Sequence, residues 1–231
     1  MAVRGLYVLH NADGKIDQSL LLAGRGMGKK IDSPVFVYFL RADEGNILFD
    51  AGCDPEIIQD ARRAWGPAAD YLSISMKPEG DLREYLRALR LTPRDVRYIV
   101  LSHLHIDHAG ALRFFPDAEI IVQRDEYRYA YCPAPWAASN YRRADFDHPR
   151  LNWKLVDGDY QLFPGATLVL SQGHSPGTQA LVVDLPQTGT VILAGDSVPL
   201  RRNADRGILP GIVWDADLAM KSIQRLKVIA E

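Results

Sequence analysis

Four side chains that bind metals stand within six positions of one another: His103, His105, Asp107 and His108, in the run Ser102-His103-Leu104-His105-Ile106-Asp107-His108-Ala109-Gly110. In an extended segment alternate residues share a side, so His103 and His105 can reach one point. Asp107 and His108 stand at a turn, where neighbouring side chains diverge and can reach a second. Imidazoles packed this closely repel when protonated, and a cation that holds them neutral removes the conflict. A lone loop histidine is usually a hydrogen-bonded polar group, whereas H-x-H-x-D-H at a strand end is metal chemistry. His174, in Gly173-His174-Ser175-Pro176-Gly177, and Asp196, in Ala194-Gly195-Asp196-Ser197, would each read as turn residues alone. Each follows an apolar strand and comes after the first cluster, so both read as further ligands. No thiol lies in the cluster. Nitrogen and oxygen donors admit zinc, iron, manganese or cobalt, with zinc the default expectation.

Elements of a recognisable kind must position these residues. Val96–Leu101 reads as a short buried strand leading straight into the histidines, with Gly110–Phe115 continuing as a helix and Ala118–Val122 returning to strand. Upstream, Leu6–His10 is a strand that ends at the turn Asn11–Gly14. Pro34–Leu40 and Asn46–Asp50 flank the polar turn Arg41–Gly45 as a hairpin. Asp81–Leu91 has helical spacing, with Asp81 as its cap and Thr92-Pro93 as its stop. The stretch from Asp125 to Trp153, rich in tyrosine, tryptophan and proline, predicts a helix and then a long aromatic loop. Strands resume at Thr167–Leu170, Ala180–Val183 and Val191–Leu193. A final amphipathic helix is capped by Asp215 and buries Ala219, Ile223, Leu226 and Ala230. Strand runs interrupted by a few helices in each half predict an α/β fold, an αββα sandwich of two mixed β-sheets with helices on the outer faces.

At 231 residues the chain suits one compact domain, 1–231, with an ordinary share of hydrophobic (47%) and charged (24%) residues. Its net charge of −2 carries no basic stripe for nucleic acid. The longest apolar run, Val35 to Leu40, is too short for a bilayer. The N-terminus has no apolar signal region, so a cytoplasmic, reducing compartment is expected. The two cysteines, Cys53 and Cys132, read as buried reduced thiols.

The H-x-H-x-D-H cluster, the later Gly173-His174-Ser175-Pro176-Gly177 and Gly195-Asp196 together resemble the metallo-β-lactamase superfamily. Asp50-Ala51-Gly52 looks like its D-T-G turn, where the aspartate supports the ligands from behind. The resemblance implies that His103, His105 and His174 hold one metal and that Asp107 and His108 hold the other. Asp196 would bridge the two, with a hydroxide between them as nucleophile. Paired ions roughly 3.5–4 Å apart can bring the pKa of water from near 15.7 to about 7 and stabilise both attacked and leaving oxygens. Asp107 would orient the hydroxide and return a proton to the leaving group.

Within that superfamily the chain is most similar to the N-acyl homoserine lactone lactonases, the quorum-quenching enzymes. The likeness runs from Pro34 to the last helix and includes Ala144–Asp147, Leu155–Asp159, Leu209–Gly211 and Ser222–Lys227. It implies opening of a lactone ring to a hydroxy acid, with an apolar channel for the acyl tail. Met27, Trp136, Tyr141 and Phe146 are the candidates for lining that channel. Three departures stand out. Relatives carry a further metal-binding histidine in a Gly-His-Asp turn after the last helix, so the domain is expected to lack its C-terminal end. They place a tyrosine where Pro199 stands, which leaves Tyr141 as a substitute donor. They often have a second histidine where Thr178 stands, a position that is usually not a ligand.

Rival readings are a same-fold hydrolase of another lactone, ester or thioester, and a non-catalytic, metal-poor binding module. A glyoxalase-type thioesterase would need an added helical domain, a secreted β-lactamase a signal peptide, and a nuclease a basic surface. The expected partner is a small-molecule lactone or ester, with neither nucleic acid nor membrane involved; a homodimer is left open.

Overall fold

Apolar residues alternate along the central strands, and this alternation assigns each strand face to a different layer. In the computed structural model, which describes residues 3–231, a six-stranded sheet has the order β1 (Val3–Ala12), β4 (Val35–Ala42), β5 (Asn46–Phe49), β6 (Val96–Val100), β7 (Glu119–Gln123), β8 (Asn152–Val156). A four-stranded sheet has the order β12 (Gly189–Leu193), β11 (Gln179–Leu185), β10 (Ala166–Leu170), β9 (Tyr160–Phe163), and β2 (Lys15–Asp17) pairs with β3 (Lys30–Asp32) in a small hairpin. Ile47, Phe49, Val100 and Ile121 face inward to meet Phe163, Leu168, Leu181 and Leu193 of the second sheet. Their neighbours Leu48, Ile99, Ile120 and Val122 point the other way, into a helix-covered layer.

Strands β5 to β8 run parallel, and parallel neighbours need long crossovers. The first crossover carries α1 (Ile57–Trp65), α2 (Pro67–Leu72) and α3 (Leu82–Ala88), and α3 buries Leu82 and Leu86 against the first sheet. The last carries α4 (Arg124–Tyr131) and α5 (Arg143–Phe146). The middle crossover, between β6 and β7, is the histidine loop itself, at the carboxyl ends of the strands where ligands of open α/β sheets bind. After α6 (Arg201–Arg206), α7 (Ala216–Ala230) lays Leu226 and Ile229 against Val169 and Ala180 on the outer face of the second sheet. This is the expected αββα sandwich. Asp81 and Asp215 cap their helices as read, accepting from the backbone N–H groups of Arg83 and Leu218 at 2.9 Å each.

Three expectations need correction. Gly110–Phe115 forms only a single 3₁₀ turn, Leu112–Phe114, because Pro116 drives the preceding Phe115 out of helical geometry (φ −118°, ψ 62°). Of the two thiols only Cys53 is buried; Cys132 is exposed, and neither is bonded. The turn expected at Asn11–Gly14 does not form, since β1 continues to Ala12 and Asp13 bridges to Ser75. Among the described residues no helix is long and apolar enough to cross a membrane.

Candidate metal centre

Four loops converge at one end of the sandwich, each leaving a strand: Asp50 after β5, His103–His108 after β6, His174 after β10 and Asp196 after β12. Ring nitrogens of His103, His105 and His174 all lie within 4.8 Å of one another, and His103, His108 and Asp196 form a second such group. His105 Nδ1 and His174 Nε2 are 3.0 Å apart. Asp196 lies between the groups: one carboxylate oxygen is 3.4 Å from His174 Nε2 and the other is 3.7 Å from His108 Nε2. Asp107 reaches His108 Nε2 at 3.5 Å. All six ligand-type residues read from the sequence are thus gathered at one place.

Neighbouring groups fix which nitrogen of His103, His108 and His174 faces this place. Asp50 accepts from the Ser102 backbone N–H (2.7 Å) and hydroxyl (2.9 Å), and its second oxygen lies 2.8 Å from His108 Nδ1. A carboxylate only accepts, so Nδ1 of His108 carries the hydrogen and Nε2 is aimed at Asp107 and Asp196. The Ser102 hydroxyl spends its hydrogen on Asp50 and is left to accept from His103 Nδ1 at 2.9 Å. The bare lone pair of His103 is therefore on Nε2, which is buried without a hydrogen-bond partner. His174 Nδ1 donates to the Ile212 carbonyl at 2.9 Å, which likewise leaves Nε2 free to accept. An orphaned buried nitrogen normally costs about 1–3 kcal/mol, and a cation among three converging lone pairs would remove that cost. The donor set fits a divalent metal.

The loops interlock closely. Asp50 sits at φ 66°, and a Cβ on Gly110 would lie 2.2 Å from the Asp54 backbone nitrogen. Glycine is therefore required where the histidine loop docks on the Asp50 loop. Glu126 on α4 is fully buried and joins the two histidine loops. One of its oxygens accepts from Leu104 N–H (3.0 Å) and the Tyr141 hydroxyl (3.2 Å), the other from the Ser175 hydroxyl (2.5 Å) and Gly177 N–H (3.1 Å). The sequence reading missed Glu126, and nothing local marks it, since glutamate on an amphipathic helix normally faces water.

Burial, reinforced by neighbouring imidazoles, pushes His103 and His105 well below the ordinary histidine pKa. They are neutral, as ligands must be. Burial opposes charge on His108 too, but Asp107, Asp50 and Asp196 outweigh it and raise its pKa well above the usual value. Asp107 is held below the carboxylate range by His108 and His105 in spite of its burial.

The four residues expected along the channel do not share one environment. Tyr141 packs its ring edge-on to His105, with centroids 4.7 Å apart, and its hydroxyl is committed to Glu126. Burial and Glu126 raise the pKa of that hydroxyl far above the usual tyrosine value. Trp136 is 64% exposed on the loop whose Asn140 carbonyl accepts from Ile106 N–H, and Met27 is 86% exposed on the β2–β3 hairpin loop. Phe146 is fully buried in the core against Tyr131, which leaves it no face for a ligand.

Fold and centre define a class, a metal-dependent hydrolase of the metallo-β-lactamase superfamily, and the superfamily's model matches residues 31–229. The chain belongs to this superfamily. Its relatives narrow the group. The N-acyl homoserine lactonase AttM of Azorhizobium caulinodans is 35% identical over 233 residues, covering 98% of this chain and 88% of its own. The N-acyl homoserine lactonase AiiA of Bacillus thuringiensis subsp. kurstaki is 33% identical over 232 residues, covering 100% and 90%. A solved N-acyl homoserine lactone hydrolase, with the product N-hexanoyl-L-homoserine at its catalytic metal centre, superposes with a TM-score of 0.89 at 33% identity, covering 100% of this chain and 90% of that one. The chain belongs to the family of the N-acyl homoserine lactonases.

Proposed function

We propose that residues 1–231 act as one hydrolase domain that opens the ring of N-acyl homoserine lactones with two divalent metal ions, zinc by default. The observation that carries this reading is Asp196, whose two oxygens divide between His174 and His108, set in a chain about one-third identical to lactonases along nearly its whole length. His103, His105 and His174 would hold one ion and Asp107 and His108 the other, with Asp196 between. When bound, such a pair supplies a nucleophilic hydroxide at neutral pH and polarises the carbonyl under attack.

The chain's own residues do the rest. Asp50 and the Ile212 carbonyl keep His108 and His174 in the tautomer that presents Nε2. Asp107 keeps 29% of its side-chain exposure, beside 33% for Asp196, so a substrate can reach it. Asp107 would orient the attacking oxygen, take up the proton that oxygen sheds and return it to the alkoxide that leaves as the ring opens. Tyr141 walls the site beside His105, and Trp136 and Met27 offer exposed apolar surface to an acyl tail.

One observation favours a second reading, a same-fold hydrolase of another lactone or ester. Pro199 carries no donor where the lactonases place a tyrosine, and the Tyr141 hydroxyl already donates to Glu126. Both readings are tested by following ring opening of a panel of acyl homoserine lactones by pH-stat, with zinc or cobalt added and His105→Ala as control. Ring opening that disappears in the control supports the lactonase. Two bound metals with no turnover of any of these lactones would remove that assignment and leave the second reading.

A further inference from the structure

Two adjoining cavities, lined by none of the metal ligands, lie between the β2–β3 hairpin loop and α6. One, of 610 Å³, is lined by Gln18, Leu22, Arg25, Gly26, Arg202, Arg206 and Ile208. The other, of 360 Å³, shares Gln18, Leu22 and Arg202 and adds Lys29, Ile31, Leu200 and Arg201. Together they form one groove with an apolar floor (Leu22, Ile31, Leu200, Ile208) and five cations along its rim, in the volume range of small-molecule sites. No carboxylate lines it.

What sets the rim apart is the gathering of its cations, in a chain whose net charge is −2. Many arginines elsewhere sit against acids, as Arg4 does on Asp43, Arg62 on Asp70, Arg124 on Asp157 and Arg143 on Asp147, and the others are scattered singly along the chain. Among the described residues Arg25, Arg201, Arg202, Arg206 and Lys29 make no ion pair. Like charges facing one concavity repel until an anion joins them.

The groove is also preformed. Asn203, fully buried on α6, donates from Nδ2 to the Leu21 carbonyl at 3.0 Å, and Ala23 N–H donates to the Leu209 carbonyl at 2.9 Å. These bonds fasten one wall to the other, so a ligand need not order them.

We propose that this groove binds an amphiphilic anion, its alkyl or acyl chain along Leu22, Ile31, Leu200 and Ile208 and its carboxylate or phosphate on the arginines. A bare inorganic anion would leave the apolar floor uncovered, and a neutral chain would leave the guanidinium groups unpaired. The inference stands on the groove alone and does not depend on the lactonase reading.

The test is calorimetric titration of the metal-loaded full chain with decanoate and decyl phosphate below their micelle concentrations, with decanol and inorganic phosphate for comparison. Both amphiphiles should bind at least about tenfold more tightly than either comparator. Arg202→Glu with Arg206→Glu should weaken them by roughly tenfold or more, and His105→Ala should not. Both arginines are exposed, so folding should survive, and the paired Gln substitutions give a second, milder variant. Inorganic phosphate binding as well as decyl phosphate, decanol binding as well as decanoate, or affinity unchanged in both variants would each overturn the proposal. So would binding to vesicles containing phosphatidylglycerol with none to the monomeric amphiphiles, which would make the rim a membrane-facing surface. Loss of binding in His105→Ala alone would place the anion on the metal centre instead.

Discussion

Two buried polar clusters share the same neighbourhood and are completed in different ways. In the metal centre Asp107 and Asp196 face imidazoles, and His103 Nε2 has no partner. A few residues from Asp50, Asp54 is equally buried but is enclosed by two arginines: Arg113 grips both of its oxygens (2.6 and 2.7 Å) and Arg142 adds a third contact at 2.6 Å. Arg142 also reaches Asp145 at 3.1 Å and Glu56 at 3.4 Å. Burial opposes the charge on Asp54, yet the arginines hold its pKa below the carboxylate range. The first cluster is left for a ligand to complete; the second is completed by the chain and fastens the Asp50, histidine and Tyr141 loops around the first. Open valences mark the place where chemistry is done, and closed ones mark the frame that keeps it in register.

At fixed pH the largest effect should come from opening the closed cluster. Asp54→Ala leaves two guanidinium groups facing each other across a cavity. Removing one partner of a buried pair costs about 3–5 kcal/mol. The arginine side chains keep 32% and 23% of their exposure, so water recovers part of that and about 3 kcal/mol is expected. Urea unfolding of the metal-free protein measures it. A loss below about 1 kcal/mol would show that the frame does not depend on this pair and would dissolve the contrast.

Glu126→Gln probes the link between the clusters and should cost less. The amide turns one acceptor into a donor against Leu104 N–H and the Tyr141 hydroxyl, or against Ser175 and Gly177 N–H. Metal-free stability should fall by about 2 kcal/mol. Metal affinity, read by competition with a chromophoric chelator, should fall roughly 10- to 100-fold, as when groups that orient ligands are altered. Stability lost with affinity unchanged would reduce Glu126 to a core residue.

How far the sequence foretold all this follows from distance along the chain. H-x-H-x-D-H is legible because four donors are contiguous. The strands and the last helix are legible because burial imposes periods of two and 3.6 on neighbouring residues. Asp54 and Arg142 are 88 positions apart, and Glu126 draws its four donors from three other segments, so no local pattern reveals either. Phe146 failed for the same reason: an aromatic in a long loop reads alike whether it faces a pocket or, as here, the core against Tyr131. The helix expected after Gly110 stops short before Pro116, a signal that is legible in the sequence.

The sharpest test of how fully the second cluster is closed lies at Asp145, whose effect shows only as pH is varied. One of its oxygens meets Arg142, but Oδ2 is buried without a partner. Burial raises its pKa to about 7, with Asp54 and Glu56 adding to the rise and Arg142 and Arg113 opposing it. The folded state therefore favours the proton. Below about pH 4 both states hold it, and the contribution is fully present. As pH rises toward 7 the unfolded chain releases the proton while the folded chain keeps it, so stability falls by about 1.4 kcal/mol per pH unit, to a limit of about 4 kcal/mol. Above that window nothing further is lost. Asp145→Asn cannot titrate, so wild type should lose ground against the variant between about pH 4 and 7 and hold level beyond, in urea unfolding at each pH. A flat difference across the window would mean that Arg142 keeps Asp145 ionised throughout. The second cluster would then be charge-balanced at every member, and the open valence at His103 would stand out all the more.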